Sequence, residues 1–148
     1  MSLNLSNENL AQDCLIEARI RFKTANNVLK KKFYAFSFRL SQESVELALK
    51  AAMRLIGLDF PKWHDIGKLL IKETNQFPKE FQLVIPKLAK ISEFLAKKRE
   101  SAMYGDELDK RSPSNLFDKT AAKEALIEAK FCFEQIEFLF NSFSKINK

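Results

Sequence analysis

A chain of 148 residues with 46% hydrophobic and 30% charged content, three glycines and four prolines has the composition of one packed helical domain, residues 1–148. This excludes a disordered chain and a disulfide-stapled scaffold. A net charge of +6 permits attraction to nucleic acid through phosphate neutralisation but does not demand it.

The first helix is predicted over about residues 8–31, because Ala11, Leu15, Ala18, Phe22, Ala25 and Leu29 follow the spacing of one buried face. Ser6 or Asn7 can cap its start. Lys30, Lys31 and Lys32 then either meet the negative pole of the helix dipole or form a phosphate-binding patch. A second helix, about 34–56, carries Val45, Ala48, Leu49, Ala52, Leu55 and Ile56 on a broad apolar face and is expected to be central in the packing. Gly57 suits the left-handed residue that closes a helix, with Leu58 and Pro61 completing the stop.

A short third helix is predicted from near His64 to Thr74. A fourth, from about Pro78 to Met103, uses Phe81, Ile85, Leu88, Ile91 and Leu95, and must kink or restart at Pro86, which lacks a backbone N–H. "GDELDKRSPSNLF" reads as the one substantial loop, and as a mobile one. The last helix, about 118–144, has a stripe of Ala122, Leu126, Ala129, Phe133, Ile136, Phe140 and Phe143 and a second of Ile127, Phe131 and Phe138. That exceeds what one small core consumes and predicts burial by a second copy of the chain. The fourteen phenylalanines recur at helical spacing, which assigns them to core or interface rather than to base stacking.

Cys14 and Cys132 lie far apart with no metal-ligand spacing and are expected to be buried free thiols. There is no Gly-rich phosphate loop, HExxH, Cys/His cluster or GxSxG elbow, so no metal or cofactor is expected. No run approaches a membrane span and the first residues lack a signal-peptide pattern, which predicts a cytoplasmic protein with no membrane contact.

Three polar sets stand out. Gln42, Glu46 and Lys50 form a ridge at i, i+4 and i+8, explicable as an exposed ion-pair ladder or as the lining of a cleft. His64 and Asp65 open the third helix, as caps or as an acid/base or phosphate contact. Arg99 and Tyr104 bracket the end of the fourth helix, where a guanidinium fork suits either the helix dipole or a phosphate.

"SFRLSQESVELALKAAMRLIGLDFPKWHDIGKLL" followed by "LAKKRESAMYGDEL" resembles the HEPN domain family (higher eukaryotes and prokaryotes nucleotide-binding). The matching residues are Gln42, Glu46, Lys50, Ala51, His64, Asp65, Leu69, Leu70, Arg99 and Tyr104, within about residues 35–108. The resemblance implies an all-α, up-and-down bundle of four or five helices, commonly homodimeric, with its site at or near the dimer interface. It also implies binding of a nucleotide or RNA phosphate, and a minimal nucleotidyltransferase partner in a toxin–antitoxin-like module.

Many members are metal-independent ribonucleases in which an arginine is followed four to six residues later by a histidine. After Arg99 this chain reads "ESAMYGD", with Tyr104 or one of its neighbours where that histidine is expected. A tyrosine with its ordinary pKa near 10 is a poor general base at neutral pH. Three readings follow. One is a binding domain using Arg99, His64, Lys50, Glu46, Gln42 and Asp65. The second is a ribonuclease using Arg99 with Tyr104 or His64, and the third a bundle that only binds other proteins.

Overall fold

The computed structural model of the chain describes residues 5–59, 66–105, 110 and 112–146. Among these residues every regular element is helical: α1 (Leu5–Lys30), α2 (Tyr34–Leu55), α3 (Ile66–Lys72), α4 (Lys79–Gln82), α5 (Ile85–Tyr104), α6 (Pro113–Leu116) and α7 (Lys119–Ile146), with a 3₁₀ turn at Thr74–Gln76. The fold is an all-α up-and-down bundle built around α2, which packs against α1, α5 and α7, while α3 lies on α5.

The α2 sequence explains its central place. Small side chains at Ser37, Ser41, Ser44, Ala48, Ala51 and Ala52 are buried alongside Phe38, Val45, Leu49 and Met53. Ala11, Ala18 and Ala25 form the facing strip of α1 and are fully buried, so the two helices can approach closely. The Ser37 hydroxyl donates to the carbonyl of Ala25 and the Ser44 hydroxyl to that of Ala18, each at 2.8 Å. These bonds satisfy two buried hydroxyls that would otherwise each cost about 1–3 kcal/mol.

Helix ends follow local chemistry. At Gly57 (φ +79°) the chain turns left-handed, with Gly57 N–H donating to Arg54 and Leu58 N–H to Met53, the paired bonds of a Schellman motif. The same motif closes α1, where Lys32 N–H donates to Leu29 and Phe33 N–H to Val28. There the left-handed residue is Lys32 (φ +69°), which carries the Cβ that glycine lacks. Pro86 falls in the first turn of α5, where its missing N–H costs nothing, and the chain restarts its helix there after a turn at Leu83 and Val84.

One expectation needs correction. The polar segment before α7 is not all loop. Pro113–Leu116 is helical, and Phe117 is buried with its ring 4.7 Å from that of Phe38. An aromatic anchor ends the excursion and ties it to α2. Among the phenylalanines, Phe33 at the α1–α2 turn is 60% exposed in the single chain. In α7 the buried face is centred on Ala125, Ala129, Cys132, Ile136 and Leu139, while Ile127 and Phe138 of the second stripe are exposed. Both cysteines are free, and burial pushes the Cys132 thiol up to about 12.

Lys32→Gly is expected to stabilise the protein by about 0.5–1 kcal/mol, since it relieves a left-handed conformation that L side chains disfavour. The urea midpoint should rise with an unchanged slope.

Candidate phosphate cleft

The ridge on α2 lines a cleft of about 160 Å³ whose walls are Arg21 from α1, Glu43, Glu46, Leu47 and Lys50 from α2, and Arg99 from α5. Of the residues singled out from sequence, Glu46, Lys50 and Arg99 therefore meet in space. Gln42 is buried beside them and donates to Glu46 Oε2 at 3.1 Å. Lys50 Nζ lies 3.1 Å from Glu46 Oε1, so both oxygens of this carboxylate are engaged from its own helix. Tyr104 is the last residue of α5, and its side chain lies outside the described residues; His64 and Asp65 lie outside them altogether.

Sequence reasoning missed Arg21 and Glu43. The signal for Arg21 was its place three residues after Ala18, on the flank of the buried face of α1, where only a neighbouring helix could give it a partner surface.

The two carboxylates differ in their attachment. Burial raises the Glu46 carboxyl, but hydrogen bonds from Gln42 and Lys50 and the charges of Lys50 and Arg99 outweigh it and hold the pKa below its ordinary value. Glu43 reaches the Arg99 guanidinium only at 3.9 Å, a long ion pair at a partly exposed arginine. Arg99 Nε is buried and finds no hydrogen-bond acceptor among the described residues. Three cations against two carboxylates leave the lining one positive charge in excess. The cleft therefore offers an unspent donor and a net field suited to an anion with several oxygens.

The HEPN domain matches residues 11–139 of this sequence. The chain belongs to the HEPN domain family. A search of curated proteins returned no match. Among solved structures, this HEPN domain is similar to the crystal structure of TT1696 from Thermus thermophilus, with a TM-score of 0.68 and 23% identity. The likeness covers 87% of this chain and 97% of that one, and supports the bundle architecture.

Within this HEPN domain the sequence around Arg99 explains its pose. Leu88, Ile91 and Leu95 fix one face of α5 in the core, and Arg99 follows Leu95 by one turn, at the edge of that buried stripe. Its stem is thereby held against the bundle while its head enters the cleft. Among the described residues no cluster of three or more His, Cys, Asp or Glu side chains is placed to hold a metal ion. No helix among them is long and apolar enough to cross a membrane.

The depressed Glu46 pKa fixes the sign of a pH effect. Its contribution is present above the unfolded pKa and is lost as pH falls through the lower folded value. Glu46→Gln should therefore lower stability by up to about 1 kcal/mol near neutral pH. The gap from wild type should narrow in urea melts as the solution is acidified toward about pH 3.

Proposed function

We propose that this HEPN domain binds a nucleotide or RNA phosphate in the cleft between α1, α2 and α5, with Arg99 as the principal phosphate ligand and Lys50 and Arg21 adding positive charge. Glu46, held by Gln42, orients Lys50. His64 and Asp65 keep the ligand-side role that the family resemblance gives them. The observation that carries this reading is the Arg99 guanidinium: among the described residues its buried Nε finds no acceptor, and its only carboxylate partner stands 3.9 Å away. A phosphate oxygen supplies what Glu43 does not, a short charge-assisted bond.

The active form in this reading is a homodimer acting in the cytoplasm beside a minimal nucleotidyltransferase. Support for the dimer comes from the outer side of α5 and α7. Ile127, Phe138 and Phe94 are each more than half exposed, and a groove of about 320 Å³ between the helices is walled by Lys90 and Lys98 on α5 and Glu124 and Glu128 on α7. A two-fold axis along the groove would set the lysine wall of one copy against the glutamate wall of the other, the self-complementarity that an isologous contact needs.

Arg99→Ala should weaken binding of AMP roughly 10- to 100-fold, the worth of a charge-assisted hydrogen bond to phosphate, as measured by calorimetry. Unchanged affinity would remove the assignment. RNA incubated with the purified chain and a chelator should stay intact. Cleavage that disappears in Arg99→Ala would instead make the protein a ribonuclease. Phe138→Asp should convert the dimer to monomer in sedimentation velocity while moving the stability of the fold by no more than about 0.5 kcal/mol.

A further inference from the structure

From Ala18 to Gln42 the chain carries seven cations, Arg19, Arg21, Lys23, Lys30, Lys31, Lys32 and Arg39, and not one carboxylate. The α1–α2 turn brings two of these, Lys32 and Arg39, together with aromatic rings. An open cavity of about 560 Å³ there is lined by Lys32, Phe33, Tyr34, Phe36 and Arg39 and closed on its far side by Pro113, Ser114 and Phe117. Phe33 is 60% and Phe36 39% exposed, and the Arg39 guanidinium lies 4.8 Å from the centre of the Phe36 ring.

The fold does not require these exposed rings. Phe33 follows the left-handed Lys32, a position whose side chain usually packs back on its helix, yet it stands out in solvent. Phe36 faces outward while its neighbours Ser37 and Phe38 supply the buried contacts of the first turn of α2. Flat apolar faces set among cations with no salt-bridge partner among the described residues match the chemistry of bases joined by phosphates, whose rings stack on aromatic and guanidinium planes.

We propose that the α1–α2 turn is a stacking platform for single-stranded RNA that continues the phosphate cleft along α2. Arg39 lies one turn before Glu43 on the same face of the helix, so the platform and the cleft share one surface. Phe36 and Glu46 are separated by about 15 Å along the helix axis, a distance that an oligonucleotide spans and a mononucleotide does not. The continuity of the two sites rests on the phosphate reading of the cleft, whereas the platform has its own exposed rings and cations. The ligand class thereby narrows to an unpaired strand with at least one base on Phe33, Phe36 or the outer plane of Arg39.

The test is fluorescence anisotropy of labelled octauridylate and calorimetry of UMP with the wild-type chain, Phe33→Ala/Phe36→Ala and Arg99→Ala. The platform variant should lose at least about tenfold in octauridylate affinity, in keeping with the worth of base stacking, and keep its UMP affinity. Phe33→Tyr/Phe36→Tyr should restore octauridylate binding, which a purely electrostatic surface would not require. Undiminished octauridylate binding by the Ala variant, or equal affinity of the wild type for the strand when it is paired in a duplex, overturns the platform. Loss of UMP binding in Arg99→Ala with no effect of the ring substitutions would leave the cleft standing without the platform. The reverse pattern would leave the platform and remove the cleft.

Discussion

The bundle depends on the close contact of α1 with α2, fixed by two serine hydroxyls seven residues apart on α2 that donate to two carbonyls seven residues apart on α1. Such a spacing is the repeat at which two crossing helices present the same faces again. It sets the register of the pair as well as their distance. With that register, Arg21 comes to lie beside Glu43 and Glu46, and Lys32, just past the end of α1, comes to line one cavity with Phe36 and Arg39. A bulkier residue at Ser44 would force the helices apart and shift both sites together, because packed interiors transmit strain instead of absorbing it.

The electrostatics of the cleft are layered on this frame. Glu46 spends both its oxygens on Gln42 and Lys50, along its own helix. Glu43 is left as the weak partner of Arg99, so under the proposed function an incoming phosphate would compete with one long ion pair and would not have to break a tight network. The arrangement holds the Arg99 head in place, and such preorganisation would lower the ordering cost of the proposed binding.

Much of this was legible in the sequence because it is periodic. The apolar spacing placed α1, α2 and α7 within a few residues, Gly57 marked its turn, and Pro86 marked the restart of α5. The ridge from Gln42 to Lys50 was also visible, since polar residues on an apolar helix break its pattern. Less visible was anything decided by a partner helix. The serines of α2 look like surface residues until α1 covers them, and Arg21 is one cation among many until the register brings it opposite Glu46. Lys32 carries no mark of its left-handed backbone, for the surrounding "KKK" reads as a charge effect. Phe117 sits in a polar, Pro-containing stretch and becomes an anchor only through the ring of Phe38. Likewise Phe33 and Phe36 differ from the buried rings in exposure, not in spacing.

The most direct measurement is the side-chain Nε–Hε resonance of Arg99 in an NMR titration with AMP. Binding as described gives that buried donor an acceptor: the resonance should shift downfield and exchange more slowly with solvent as AMP is added, with Lys50 responding beside it. If Arg99 stays unmoved while AMP binds elsewhere, or if AMP does not bind, the cleft is an internal ion-pair network and not a phosphate site.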